Sequence, residues 1–357
     1  MDKPFRIIQW ATGRTGTRSM RAVLDHPKME LVGLWVHSPE KVGKDAGTLC
    51  GRPLTGVIAT NNIDEILALH ADCVLYLPQG CDVDALSRIL ASGKNVVSSR
   101  FEFLHPASME REMRTRLEAA CTEGNSSLYG TGSSPGFITE AMPLVLMSIQ
   151  RRLDCLTIDE FADMREVKSP EMVFTHMGFG KSIADFDAHS GEEKIGFAQS
   201  LRLVGDAIGL PVDKITTTSE VASVLTPFEL HGRRIDPGMI AAKRTTLSAW
   251  HDGSIILRFR ANWYCTKDID ADWELRDIGW RLLLQGDAPL DIAITNPVPS
   301  DQLSEFAPNK TPFRIVNAVP FVCAAAAGIR TTLDLPSIIP FLGKQRWSTS
   351  NRNTRPA

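Results

Sequence analysis

The sequence predicts an α/β protein. Its first part is a doubly wound parallel sheet, and its second is an α+β domain with a largely antiparallel or mixed sheet. Three observations carry this. Over the first ~135 residues, apolar strands alternate with helical segments through short connections. The first strand, Phe5-Arg-Ile-Ile-Gln-Trp10, turns on glycines into a helix. Beyond Gly136 the strands lengthen and take on a period of two.

The glycine turn is Ala11-Thr12-Gly13-Arg14-Thr15-Gly16, followed by the helical Arg18–Leu24. Such a strand–turn–helix presents backbone N–H groups to a pyrophosphate, and the helix dipole favours the anion. Alanine stands where the first glycine of the pattern is usual. The reading is therefore of a Rossmann-type dinucleotide site. Met29–Val36 is the second strand, and Cys73–Leu77 is a third that ends at Pro78-Gln79-Gly80. In Asp82–Ser92, Leu86, Ile89 and Leu90 fall at helical spacing, Gly93 stands at the C-cap, and Lys94–Ser98 is the next strand. A helix over 107–123 leads to the strand Ser126–Tyr129 and a turn, Gly130–Gly136.

In the second part, Leu153–Ala162, Lys214–Val224, Thr245–Trp250 and Ser254–Trp263 read as strands. In the last, Leu257, Phe259, Ala261 and Trp263 alternate with Arg258, Arg260 and Asn262, so one face is buried and one wet. A helix over Glu192–Ile208 interrupts the strands. Another over Thr311–Ala327 is expected to return to the first domain, and the polar stretch after Lys344 to fray. The domains expected are 1–140 for the dinucleotide, 141–310 for substrate and dimerisation, and 311–343 as the returning segment.

The formal charge of -3 gives no sign of nucleic acid or of an anionic membrane surface. No run reaches the ~18 apolar residues of a spanning helix. The N-terminus reads directly into a strand with no secretory leader, and the seven scattered cysteines form no C-x-x-C pair. Both features suggest a cytoplasmic protein with reduced thiols and no structural metal.

Nicotinamide specificity follows from the end of the second strand. No carboxylate ends it; His37, Ser38 and Lys41 offer donors, with Arg14 from the glycine turn. A 2′-phosphate wants donors and positive charge, so NADP is expected, with NAD as the alternative if Glu40 serves the ribose. Pro78 and Gly80 either border the nicotinamide, because ligands of open parallel sheets sit beyond the carboxyl ends of strands, or form a simple turn.

Glu102, in Arg100-Phe-Glu-Phe-Leu-His-Pro106, follows a parallel strand between Phe101 and Phe103, which could wall an apolar pocket. A carboxylate there can act as general base or hold a developing cation; otherwise it is a loop acid or a partner for Arg100. Phe174-Thr-His176-Met177-Gly-Phe179 is a candidate pocket wall, with His176 as a second acid/base.

The motifs A-T-G-x-x-G, V-H-S-P-x-K-V-G-x-D-A-G (Val36–Gly47), G-T-G-x-x-P-G-F (Gly130–Phe137) and V-N-A-V-P (Val316–Pro320) together resemble the 2,4-diaminopentanoate dehydrogenase and native amine dehydrogenase family. The resemblance implies reductive amination of a ketone or aldehyde with ammonia, or the reverse deamination. It puts Glu102 on the family's glutamate, four residues before Pro106, and brings Asn317 to the cofactor. It also implies a homodimer, for which exposed apolar faces of the long strands would serve. The region of Glu160–Pro170 lacks the paired histidines of dihydrodipicolinate reductase, and Lys168 alone does not rebuild its loop. Phe101, where relatives can carry a second acid, points to an apolar substrate. The competing readings are an alcohol-forming carbonyl reductase, with Glu102 or His105 relaying a proton, and a non-catalytic NADPH-binding paralogue.

Overall fold

Short apolar runs without a polar side are satisfied only by burial on both faces, and the first part of the chain achieves this. A computed structural model describes residues 3–167, 169–186 and 195–343. Strands β1 (Phe5–Trp10), β2 (Met29–Trp35), β3 (Ala59–Thr60), β4 (Cys73–Tyr76), β5 (Asn95–Ser98) and β6 (Ser127–Gly130) are joined by helices α1 (Arg14–Leu24), α2 (Ala46–Cys50), α3 (Ile63–Ala68), α4 (Val83–Ala91) and α5 (Arg111–Gly124). Helix α6 (Met142–Met147) leads into the second sheet. That sheet is built from β7 (Leu153–Asp163), β8 (Lys214–Ser223), β11 (Ile240–His251), β12 (Ser254–Tyr264), β13 (Gly279–Gly286) and β14 (Leu290–Thr295), and carries α7 (Ile195–Ala207). The small hairpin β9 (Phe228–Leu230) and β10 (Arg233–Ile235) lies beside it. Helices α8 (Ser300–Phe306) and α9 (Lys310–Cys323) and strand β15 (Gly328–Arg330) complete the chain.

The first sheet has the order β15-β6-β5-β4-β1-β2-β3, with every pairing parallel. Its two apolar layers are distinct. Ile7, Leu75 and Val97 meet α1 and α9, while Ile8, Val74 and Val96 meet α4 and α5. The second sheet, β14-β13-β7-β12-β11-β8, is mixed: β7 and β12 are parallel and the other pairs antiparallel. The doubly wound parallel sheet and the mixed second sheet are those expected from the sequence. The returning helix ends at Cys323, short of Ala327, and β15 then adds a parallel edge strand to β6. Lys168, the first residues of the helix expected from Glu192, and the tail after Lys344 lie outside the described residues.

The alternation in β12 holds from Leu257 to Ala261 and breaks beyond it, where Asn262 is fully buried and Trp263 half-buried. Leu257, Phe259 and Ala261 are buried under Leu201 and Val204 of α7, and Phe197 stacks on Phe259 at 3.8 Å. The opposite face is polar through its middle, and at its far end Phe161, Ala242 and Tyr264 are buried in a second apolar cluster, so the exposed apolar face expected there is not found. Arg258, Arg260 and Asn262 of β12 stand against Thr157 and Asp159 of β7 and Arg244 of β11. There Arg260 grips Asp159 through two bonds of 2.5 and 2.6 Å. Apolar residues that alternate within a two-layer domain are used up by the covering helices.

Candidate active site

At the carboxyl end of β1 the chain turns through Ala11, whose φ of +74° is the conformation a glycine usually supplies. An L-residue there costs about 1–2 kcal/mol. Fixed hydrogen bonds offset that cost: Ala11 N–H donates to Trp35 O at 2.9 Å, and buried Gln9 Nε2 donates to Ala11 O at 3.0 Å. Gln9, by its place in the sequence an ordinary strand residue, holds the turn. A Cβ on Gly16 would collide with the Ala11 carbonyl oxygen, whereas one on Gly13 would meet nothing within 4 Å. Gly13 caps α1 with no side-chain hydrogen bond, so the first-turn N–H groups have no side-chain cap.

Positive charge gathers at this end. Lys41 Nζ reaches Thr12 Oγ1 at 3.1 Å, tying the loop after β2 to the glycine turn. The Arg18 guanidinium is lowered from its ordinary range, first by burial and then by Arg14 and Arg21. His37 is exposed, its ring 6.2 Å from that of Trp35, and Ser38 is half-buried. Uncapped N–H groups, an open cradle at Gly13 and nearby cations fit a dinucleotide pyrophosphate.

The end of β5 is set by Ser98, whose Oγ donates to Tyr76 O at 2.6 Å and accepts from Arg100 N–H at 3.1 Å. A single 3₁₀ turn, Phe101–Phe103, follows. With three residues per turn, its side chains diverge by about 120°. Phe101 meets α7, where a Cβ on Gly196 would stand 2.7 Å from the Phe101 Cβ. Glu102 faces Arg100: Arg100 Nε donates to Oε2 at 3.2 Å, and Nη2 donates to Oε1. Arg100 also donates to the carbonyl of Gln79, binding the Pro78–Gly80 loop to the same pair. Glu102 remains 21% exposed against 14% for Arg100, so the carboxylate is oriented yet reachable.

Several expected pocket residues are elsewhere. Phe103 is fully buried in the core of the first domain, turned there by the 3₁₀ geometry. Phe179 is fully buried against Phe161, Val173 and Tyr264 in the second domain. His176 is exposed, with Glu171 3.9 Å away, while Met177 is half-buried and its carbonyl accepts from Lys243 Nζ at 3.0 Å. Asn317 lies beside His26 and Phe341 at the far end of α1, away from the glycine turn. The α9 residue at the carboxyl edge is instead Thr311, whose Oγ1 is 2.8 Å from Ser133 Oγ. His105 is buried with both ring nitrogens engaged, Nδ1 by Ser108 Oγ at 2.6 Å and Nε2 by Asp206 at 3.0 Å. Burial lowers its pKa. Among the described residues, Asp213, His251 and Asp252 bring ligand-type atoms within 4.8 Å of one another at the β11–β12 turn, where Asp213 accepts Asp252 N–H at 2.8 Å.

Residues 138–351, more than half of the chain, match the model of the 2,4-diaminopentanoate dehydrogenase C-terminal domain. The chain belongs to that family. Residues 7–98 match the N-terminal domain of dihydrodipicolinate reductase, a Rossmann-type NAD(P)-binding domain. An amine dehydrogenase of Streptomyces virginiae is 28% identical over 94% of this chain and 97% of its own length. The 2,4-diaminopentanoate dehydrogenase of Acetoanaerobium sticklandii is 25% identical over 38% of this chain and 39% of its own. The solved amine dehydrogenase of Mycobacterium smegmatis shares the fold, with a TM-score of 0.74, 22% identity, and 94% and 97% coverage of the two chains. The protein is thus a dehydrogenase of the diaminopentanoate and amine dehydrogenase family. No helix among its described residues is long and apolar enough to cross a membrane.

Proposed function

We propose that this dehydrogenase catalyses reductive amination of an apolar ketone or aldehyde with ammonia, and the reverse deamination, with Glu102 as the catalytic residue. The observation that carries the reading is a reachable carboxylate locked by Arg100 at the carboxyl edge of the parallel sheet, bonded to the loop at the end of β4. The overall conversion takes carbonyl, ammonia, NAD(P)H and a proton to amine, water and NAD(P)⁺. The dinucleotide, when bound, supplies the hydride to the substrate carbon. Glu102 holds the nitrogen: its free lone pairs accept N–H bonds from ammonia, and its charge stabilises the iminium cation formed as water leaves. In reverse it takes a proton from the amine. Arg100 fixes the carboxylate's orientation, and half-buried Phe101 gives the site an apolar wall. The test is NADPH oxidation with a panel of apolar ketones, with and without ammonium chloride. Ammonia-dependent turnover supports the reading, and turnover indifferent to ammonium overturns it in favour of an alcohol-forming reductase. The engagement of both His105 nitrogens speaks against that alternative relay.

The reading extends to NADP as the preferred cofactor, residues 1–140 as its domain, and a homodimer in solution. Lys41, drawn to Thr12, and the donors of His37 and Ser38 suit a 2′-phosphate. Lys41→Ala is expected to weaken NADPH binding about tenfold, a charge-assisted bond being worth roughly 1.5–3 kcal/mol when made, and to change NADH binding far less. Fluorescence titration of both nucleotides measures this; equal losses would remove Lys41 from the 2′-phosphate. Light scattering tests the dimer, which a monomeric mass would refute.

A further inference from the structure

The segment leaving β6, Ser133–Ala141, carries a single acid, Glu140, which is 1% exposed. Its Oε1 is bonded to Ser200 Oγ of α7 at 2.6 Å. Thr139 Oγ1 donates to the same Ser200 oxygen at 3.1 Å, and Gly136 N–H donates to Thr139 Oγ1 at 2.9 Å. Thr139 and Ser200 are buried as deeply as Glu140. The chain Gly136–Thr139–Ser200–Glu140 therefore stitches α7 to the segment connecting the two sheets. One helical turn before Ser200, on the same face of α7, is Gly196, which lies flush on Phe101. A single face of α7 thus touches both Glu140 and the residue preceding Glu102.

We propose that Glu140 is a positioning residue for the Glu102 site: its bond to Ser200 holds α7 in place, and α7 holds Phe101 and the Arg100–Glu102 pair. The role in turnover rests on the function proposed above. The Ser200 hydroxyl donates to Glu140 in either protonation state, so what ionisation adds is a buried charge. Burial, opposed by the Ser200 hydrogen bond and the charge of Arg314, pushes its pKa up to about 8. The elements packed on this segment bring few other charges. Helix α6 has none; on α7, Arg202 bonds Val212 O and Asp206 faces His105. On α9, Lys310 bonds Asn296, and Arg314 stacks on Phe137 at 5.4 Å and reaches Ile338 O at 3.4 Å. Above pH 8 the carboxylate would keep the Ser200 bond but carry a buried charge without a bonded cation, and hydrating that charge would loosen α7.

The test compares wild type, Glu140→Gln and Ser200→Ala across pH 6–9.5. Glu140→Gln keeps an acceptor for Ser200 and cannot ionise. The ratio of its kcat to that of wild type, assayed with apolar ketones and ammonium chloride, is expected to rise as pH passes about 8. The rise in free ammonia with pH is common to both proteins and cancels in this ratio. Ser200→Ala is expected to lower kcat about tenfold, leaving NADPH affinity unchanged. A flat ratio, or full activity in Ser200→Ala, overturns the proposal.

A readout independent of turnover separates this from failure of the proposed function. With a folded-state pKa above the unfolded one, Glu140 stabilises fully below the ordinary glutamate range. That contribution is lost as pH rises to about 8 and does not change further above it. The thermal midpoint of wild type should fall against that of Glu140→Gln over this window, with faster amide exchange in α7. Parallel midpoints refute the clamp whatever the enzyme's substrate.

Discussion

Glu102→Gln is expected to lower ammonia-dependent ketone reduction roughly 10²–10³-fold while NADPH binding persists, the loss that follows removal of a group stabilising transition-state charge. The substitution keeps the size of the side chain and one acceptor oxygen, and removes the negative charge. If Glu102 only anchored Arg100 to the Pro78–Gly80 loop, Gln would retain much of that function through its carbonyl oxygen. A fall in kcat with an unchanged nucleotide Kd therefore separates chemistry from scaffolding. Arg100 would lose its charged partner at 14% exposure, so the thermal midpoint should be recorded alongside. Activity within a few-fold of wild type would leave Glu102 as an ion-pair partner and nothing more.

The parts of this site that could be read from the chain are those fixed by local chemistry. Apolar runs mark the parallel strands because both faces of that sheet are covered by apolar side chains, and the alternation in β12 marks the face under α7 because the middle of the other is polar. Glu102 could be located by counting from the end of β5. Its neighbours could not be sorted the same way. Phe101 and Phe103 look equivalent in sequence, and a single 3₁₀ turn sends one to α7 and the other into the core. Strands β13 and β14 are not among those expected from the sequence: β14 alternates along its length but is a short edge strand. Glu140 and Ser200 are sixty residues apart and acquire meaning only through their contact. Asn317 failed for a related reason: α9 runs alongside α1, so only its first turn, with Thr311, reaches the carboxyl edge.

The glycine turn allows binding and folding to be separated. Gly16→Ala places a methyl against the Ala11 carbonyl, in a turn where Ala11 already sits at a φ of +74° and Gln9 fixes the same oxygen. The turn cannot yield without giving up those bonds, so both thermal midpoint and dinucleotide affinity should fall. Affinity is expected to drop about tenfold or more, the equivalent of at least 1.4 kcal/mol. Gly13→Ala is the sharper probe. Its φ of -68° suits alanine and an added Cβ meets no protein atom, so the free protein should keep its midpoint. What the methyl would occupy is the open space over the N-terminus of α1, where a pyrophosphate must approach the backbone. Loss of NADPH affinity in Gly13→Ala at unchanged stability, measured by fluorescence titration beside a thermal melt, would mark that space as the phosphate cradle. Unchanged affinity would move the pyrophosphate off this turn, and with it the argument that Lys41 meets a 2′-phosphate.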